Sequence, residues 1–241
     1  MGFVPPNVAT PQVKAAATKA VALEPSSFTA HYALAMAGWN EWEWETTERE
    51  FQRTIELDPN HGEVRAYYSH VLIALKRHDE AVSHGARAMQ LDPLSAFNQA
   101  LYGTVLYVVR RYDEAILQFE SALKTSPDSP VAQCGLWRAF YMTGRSDEAL
   151  VAAEACLGDH SSEVKNALLR GRAEAGYTGA MRRVADVLAA GVAGTYVPAM
   201  DVFAAYLNAG QKDMALPWLS KAVDARDPRF VALVKRTNLP D

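Results

Sequence analysis

The stretch Arg111-Tyr-Asp-Glu-Ala-Ile-Leu-Gln-Phe-Glu-Ser-Ala-Leu-Lys-Thr-Ser-Pro127 decides the fold, because both of its ends recur at one fixed interval. Its opening Arg-x-Asp-Glu-Ala run also begins at Arg77 and Arg145. Its closing proline is one of four evenly spaced along the chain, at Pro25, Pro59, Pro93 and Pro127. Two independent registers thus share one period of about 34 residues, the length of a helix-turn-helix unit. A single unit of this kind cannot bury its apolar face alone, so copies stack into a solenoid with a continuous core.

Within each unit the first helix is expected shortly after the proline. Ser26, Ser95 and Ser129 are N-cap candidates, and Pro130 suits a first helical position. The prolines bound unit one at about 26–59, and units two, three and four end at Pro93, Pro127 and about Ser161. Ala81, Ala115 and Ala149 open the second helices, with Ala88, Ala122 and Cys156 two turns later on the same face. Thr47 and Thr54 fill those slots in unit one, and Phe51, Phe119, Tyr102, Leu72 and Leu106 fill the space between helices.

Beyond residue 160 the proline marker is lost. Gly144-Arg-Ser-Asp-Glu-Ala149 is echoed by Gly210-Gln-Lys-Asp-Met-Ala215, which gives two degenerate units at 162–191 and 198–225 joined by the turn from Gly191 to Tyr196. Pro217 is expected to kink the last helix or delay its start. At the other end, Pro11 to Leu23 reads as the second helix of a unit whose first is missing, with Phe3 to Val8 as an irregular cap in the alternative. Such a start is expected of a C-terminal region excised from a longer protein. The division is therefore 1–25 (half repeat or cap), 26–161 (four regular units) and 162–241 (two degenerate units and a cap), in one continuous domain.

Apolar residues make up 49% of the 241 and charged residues 22%, which excludes wholesale disorder. Twenty-eight acidic against 24 basic residues give a net charge of −4, so nothing attracts the chain globally to nucleic acid or anionic lipid. No apolar run approaches the roughly 20 residues that a membrane-spanning helix takes. Met1-Gly2-Phe3-Val4-Pro5-Pro6 lacks the regions of a signal peptide. A cytoplasmic chain with no membrane span is expected. Cys134 and Cys156, well separated and without CxxC spacing, are expected to be reduced core residues, with a disulfide as the alternative.

Catalytic signatures are missing: there is no Walker A loop, GxGxxG, GxSxG or HExxH. His78-Asp79-Glu80 imitates a deaminase His-x-Glu but has no Pro-Cys-x-x-Cys partner. His70 and His84 can approach across one hairpin, yet a structural zinc site takes four ligands. Glu41, Glu43, Glu45, Glu48 and Glu50, interleaved with Trp42 and Trp44, suit a helix N-terminus better than acid-base work. The reading is a non-catalytic chain without cofactor or metal.

These motifs resemble tetratricopeptide repeats (TPR). More narrowly, Ala22-Leu-Glu-Pro25, Ala30-His-Tyr-Ala-Leu-Ala35, Trp39, Trp42-Glu-Trp44, Glu48-Arg-Glu-Phe51 and Ile55-Glu-Leu-Asp-Pro59 resemble the repeat region of a large bacterial family. In that family the repeats follow a winged-helix DNA-binding, nucleotide cyclase or protein kinase domain. Tyr196-Val-Pro198, Gly210-Gln-Lys-Asp213, Ala215-Leu-Pro-Trp-Leu219, Lys221-Ala222, Arg226-Asp-Pro228 and Asn238-Leu-Pro240 are similar to the closing segment of those proteins. The resemblance implies an all-α, right-handed solenoid of antiparallel helix pairs, about six repeats with the last two degenerate, plus the N-terminal half repeat. It also implies the interaction or sensing region of a bacterial transcriptional regulator or similar protein.

In that fold the first helices line the concave surface. The repeat register then offers Tyr32, Met36, Trp39 and Asn40 in unit one, His70 and Ile73 in unit two, Thr104, Tyr107 and Val108 in unit three, and Arg138, Tyr141 and Met142 in unit four. Only Asn40 and Arg138 fit a clamp for a terminal carboxylate. An apolar or aromatic peptide segment, or a helix, is the expected ligand. Self-association as a homodimer and enclosure of a small molecule are the alternatives.

Overall fold

The computed structural model describes residues 6–158, 161–192 and 196–225. Twelve helices occupy the described residues: α1 Pro6–Leu23, α2 Phe28–Glu41, α3 Trp44–Leu57, α4 Gly62–Ala74, α5 His78–Leu91, α6 Ala96–Val108, α7 Tyr112–Thr125, α8 Pro130–Met142, α9 Ser146–Gly158, α10 Ser162–Ala190, α11 Ala199–Asn208 and α12 Lys212–Asp224. The starts of α2, α4, α6 and α8 repeat with the period of the prolines, and so do those of α3, α5, α7 and α9. Sequential helices pair as hairpins, α2 on α3 through α8 on α9 and α11 on α12, and the hairpins stack into an all-α solenoid.

The turns inside the hairpins are built alike. Trp42, Lys76, Arg110, Gly144 and Gly210 take φ values of 62, 61, 64, 75 and 73°. The next residue in each case donates its N–H five positions back: Glu43 to Gly38, Arg77 to Leu72, Arg111 to Leu106, Arg145 to Phe140 and Gln211 to Tyr206. This closure satisfies a terminal carbonyl and aims the chain into the next helix. Arg77, Arg111 and Arg145 then fork onto Glu80, Glu114 and Glu148, which explains the recurring Arg-x-Asp-Glu. Each guanidinium holds its glutamate below the usual carboxylate range. These pairs are exposed, so they order the turn more than they stabilise the fold.

The linkers between hairpins repeat a second device. His31 Nε2 bonds the Pro25 carbonyl at 3.0 Å, Arg65 Nε the Pro59 carbonyl at 3.0 Å, Gln99 Nε2 the Pro93 carbonyl at 2.9 Å and Gln133 Nε2 the Pro127 carbonyl at 2.8 Å. Four side-chain donors of three chemistries at one register position tie each linker to the helix it feeds. Ser95 and Ser129 cap α6 and α8 through their side chains, while α2 is flanked by Ser27 and not Ser26.

The core follows from the small-residue rows. Ala81, Ala115, Ala149, Ala88, Ala122, Thr47 and Thr54 are all fully buried, so paired helices approach closely there. Phe119 is clamped between two first helices: a Cβ on Gly103 or Gly135 would stand 2.7 or 2.4 Å from its ring. The two cysteines are joined as a disulfide and not reduced. The register puts both on the face where α8 meets α9, which spacing alone did not reveal.

The C-terminal part departs from the pattern. α10 is two helices merged across a break at Ala175 (φ −150°, ψ 33°) and Gly176 (φ 59°, ψ −140°). Its arms cross backbone to backbone, since a Cβ on Gly171 would lie 2.2 Å from the Gly179 carbonyl oxygen. α12 runs from Lys212 straight through Pro217, so its start is not delayed. Pro217 and Asp213 are both exposed, and water can take the one carbonyl that loses its donor. α1 already begins at Pro6, so residues 6–8, the described part of the alternative cap from Phe3 to Val8, are helical. Phe3, His160, the turn residues 193–195, Arg226-Asp-Pro228 and Asn238-Leu-Pro240 lie outside the described residues.

Candidate partner-binding face

First helices of successive units pack directly on one another, α4 on α6 and α6 on α8, whereas second helices reach the next unit mainly through its first helix, as α5 does with α6 and α7 with α8. The layer of first helices is therefore the tighter, inner one. Its residues that do not face a paired helix form the candidate site.

Two aromatic groups stand there. In the first, Tyr32 lies 6.1 Å from Tyr67, and Tyr67 lies 5.2 Å from Phe97, ring centre to ring centre, so one ladder crosses α2, α4 and α6. Tyr32 donates its hydroxyl proton to Glu63 at 3.1 Å, and burial first, then the Glu63 charge, pushes its phenol far above the usual value. Phe97 is 36% exposed, and Val131, its equivalent on α8, is 39% exposed. In the second group Trp137 donates its indole N–H to the Tyr177 hydroxyl at 2.8 Å, and Tyr141 stacks on Tyr177 at 4.7 Å and 14°. Tyr107 and Arg138 stand close enough to act on the same phenol, whose pKa burial raises.

The structure thus brings Tyr107, Arg138 and Tyr141 together and keeps Tyr141 and Met142 at the surface. Other expected residues are differently placed. Ile73 is 5% exposed and fills the core with Val71 and Leu72, so its assignment to the groove surface is corrected: α4 turns that position against the adjoining helices. Trp39 is half-buried, edge-on to Trp44 at 5.6 Å, and closes the α2–α3 turn; Met36 packs on the same core, and Asn40 is half-buried beside them. His70 Nε2 bonds the Leu101 carbonyl across the unit boundary at 3.0 Å, and Thr104 donates to Ala100 of its own helix. Val108 is half-buried against the core.

Tyr67 and Phe97 were missed. Glu63, Phe97 and Val131 lie two helical turns before His70, Thr104 and Arg138, and that spacing was the available signal. The acidic run serves packing. Lys14 bridges Glu41 and Glu43, Glu48 meets Tyr68 and Arg77, and Glu50 meets His31 at 2.6 Å.

Residues 103–159 match the tetratricopeptide repeat family model. The fold is a TPR solenoid. No curated protein matches the chain in sequence. Among solved structures it is similar to PilW, described as a type IV pilus biogenesis factor, at 14% identity over 90% of this chain and 86% of that one, with a TM-score of 0.58. PilF of Pseudomonas aeruginosa is 19% identical over 90% and 85%, with a TM-score of 0.57. YrrB, described as a TPR protein with an unusual peptide-binding site, is 18% identical over 91% and 96%, with a TM-score of 0.50. No described helix is long and apolar enough to cross a membrane.

Proposed function

We propose that the chain is a non-catalytic interaction module whose inner helix layer holds an apolar or aromatic peptide segment or helix of a protein partner. The observation that carries this reading is the exposure of Phe97, Val131, Tyr141 and Met142 on α6 and α8, beside neighbours such as Ala100, Val105, Ala132 and Ala139 that are wholly buried. Large apolar side chains left open on an otherwise packed layer are what a partner segment covers. A protein of similar fold with a peptide-binding site, YrrB, supports the same reading. The four units of 26–161 would carry the face, flanked by 1–25 and 162–241. The sequence resemblance makes the module a part of a bacterial regulator.

The test is a peptide library screened for binding, with hits measured by fluorescence anisotropy against wild type and Phe97→Asp. Peptides rich in large apolar residues should bind wild type. They should lose at least about tenfold in affinity against Phe97→Asp while its melting temperature holds, because a charge then faces an apolar side chain. Equal binding by both proteins would move the site off this face.

A further inference from the structure

Unit four differs from its neighbours at one pair of positions. In unit two these positions hold Ala66 and Ala88, which share one small core cluster, and in unit three Ala100 and Ala122, both fully buried. Cys134 and Cys156 occupy them in unit four, disulfide-bonded with Cα atoms 4.9 Å apart. Helices that meet at two alanines have only methyl groups between them. Two separate thiols are bulkier, and their sulfurs must stand at a non-bonded separation of ~3.5–4 Å, wider than a covalent bond holds them.

We infer that the Cys134–Cys156 bond is a site of thiol-disulfide exchange that latches the α8–α9 hairpin closed, and that a dithiol reductant opens it. Cys134 is the accessible end, half-buried, whereas Cys156 is 7% exposed in the core. A thiolate of the dithiol attacks Cys134 Sγ. A mixed disulfide forms there, and Cys156 leaves as a thiolate that takes up a proton. The second thiolate of the dithiol then attacks its own sulfur in the mixed disulfide and closes the reductant's disulfide. Cys134 is released and protonated, so two electrons have passed from the dithiol to the cysteine pair.

The latch is coupled to the inner face by geometry. Cys134 precedes Arg138 by one helical turn and Tyr141 by two on α8, so the bond anchors the helix that carries both. Tyr141 in turn stacks on Tyr177 of α10. Opening α8 from α9 therefore shifts the second aromatic group. The effect on a partner rests on the proposed function, but the exchange and the opening need no partner to be observed.

The experiment equilibrates the whole chain with excess dithiothreitol under native conditions. It counts alkylated thiols by mass and follows hydrogen exchange and melting, beside a Cys134→Ala/Cys156→Ala variant that restores the alanine pair of units two and three. Wild type should gain two alkyl groups while still folded. Exchange in α8 and α9 should rise roughly tenfold, as a locally opened hairpin gives, while α4 and α5 stay unchanged. Reduced wild type should melt below the double-alanine variant, which should ignore the dithiol. No alkylation of the folded protein would overturn the exchange site. Reduced wild type that exchanges and melts like the oxidised form would overturn the latch, whatever becomes of the partner-binding reading.

Discussion

The regular units and the α10 hairpin solve the same problem by different means. In units one to four a row of Ala, Thr and Cys side chains lets paired helices approach, and the approach recurs in every unit with fixed turns and linkers. In α10 the side-chain row is replaced by bare backbone, Gly171 against Gly179, and the turn by a single break at Gly176. A periodic unit can share the work among many tolerant positions. A hairpin out of register concentrates it on two residues that admit no substitute.

The largest effect should come from that concentration. Gly171→Val puts side-chain atoms where the Gly179 carbonyl stands, and backbone cannot rotate away as a side chain can. We expect a loss of about 3 kcal/mol or more, at the top of the range for overpacking, read as a fall in denaturant midpoint. The matched change in the regular half, Ala115→Val, should cost less because helix pairs there meet through side chains. Equal losses would erase the contrast between the two regions.

Next in size is Gly135→Ala, which meets the Phe119 ring at 2.4 Å. It should cost about 1–3 kcal/mol. Because the obstacle is a side chain, Phe119→Leu in the same molecule should recover part of the loss, giving a coupling energy of at least ~0.5 kcal/mol in a double-mutant cycle. Strict additivity would show that the ring is not what limits the approach.

A smaller and pH-dependent effect belongs to His84, half-buried and edge-on to Tyr68 at 4.9 Å. Burial first, then Arg65 and Arg77, lowers its pKa, while Glu80 pulls the other way. The folded state therefore binds fewer protons than the unfolded chain just below the ordinary histidine pKa near 6.5. Stability should be constant above that pH and fall as pH drops through it towards the lowered folded value. His84→Gln should flatten this part of the profile, and an unchanged slope in urea titrations would remove His84 as its source.

How much of this was legible follows the same divide. The helix starts, the buried alanines and the turns could be read because each position recurs from unit to unit. The proline-carbonyl tie escaped notice because His31, Arg65, Gln99 and Gln133 look unrelated until their shared donor role is seen. Tyr67 and Phe97 escaped because a ladder across units runs diagonally to the register, pairing residue 67 with 97 and not with 101. Ile73 was misplaced by helix phase: its neighbours Val71, Leu72 and Ala74 are buried too, so nearly the whole end of α4 faces protein. The disulfide depended on which positions oppose each other across a hairpin, a fact that the distance between two cysteines along the chain does not contain.

The smallest predicted effect tests whether the repeats are as equivalent as their period implies. Lys76, Arg110 and Gly144 hold the same left-handed turn position, yet only glycine takes that conformation without a Cβ penalty. Nothing lies within 4 Å of a Cβ built on Gly144, so a side chain there would meet no obstacle beyond its own backbone. Gly144→Arg should thus cost, and Arg110→Gly should gain, about 0.5–1 kcal/mol each, after allowing for the extra freedom glycine gives the unfolded chain. Exchanging the two residues should leave the total nearly unchanged in thermal and urea unfolding. A net loss larger than either single change would mean that Arg110 does something in its turn that Arg at 144 cannot, and that units three and four are not interchangeable even where their backbones coincide.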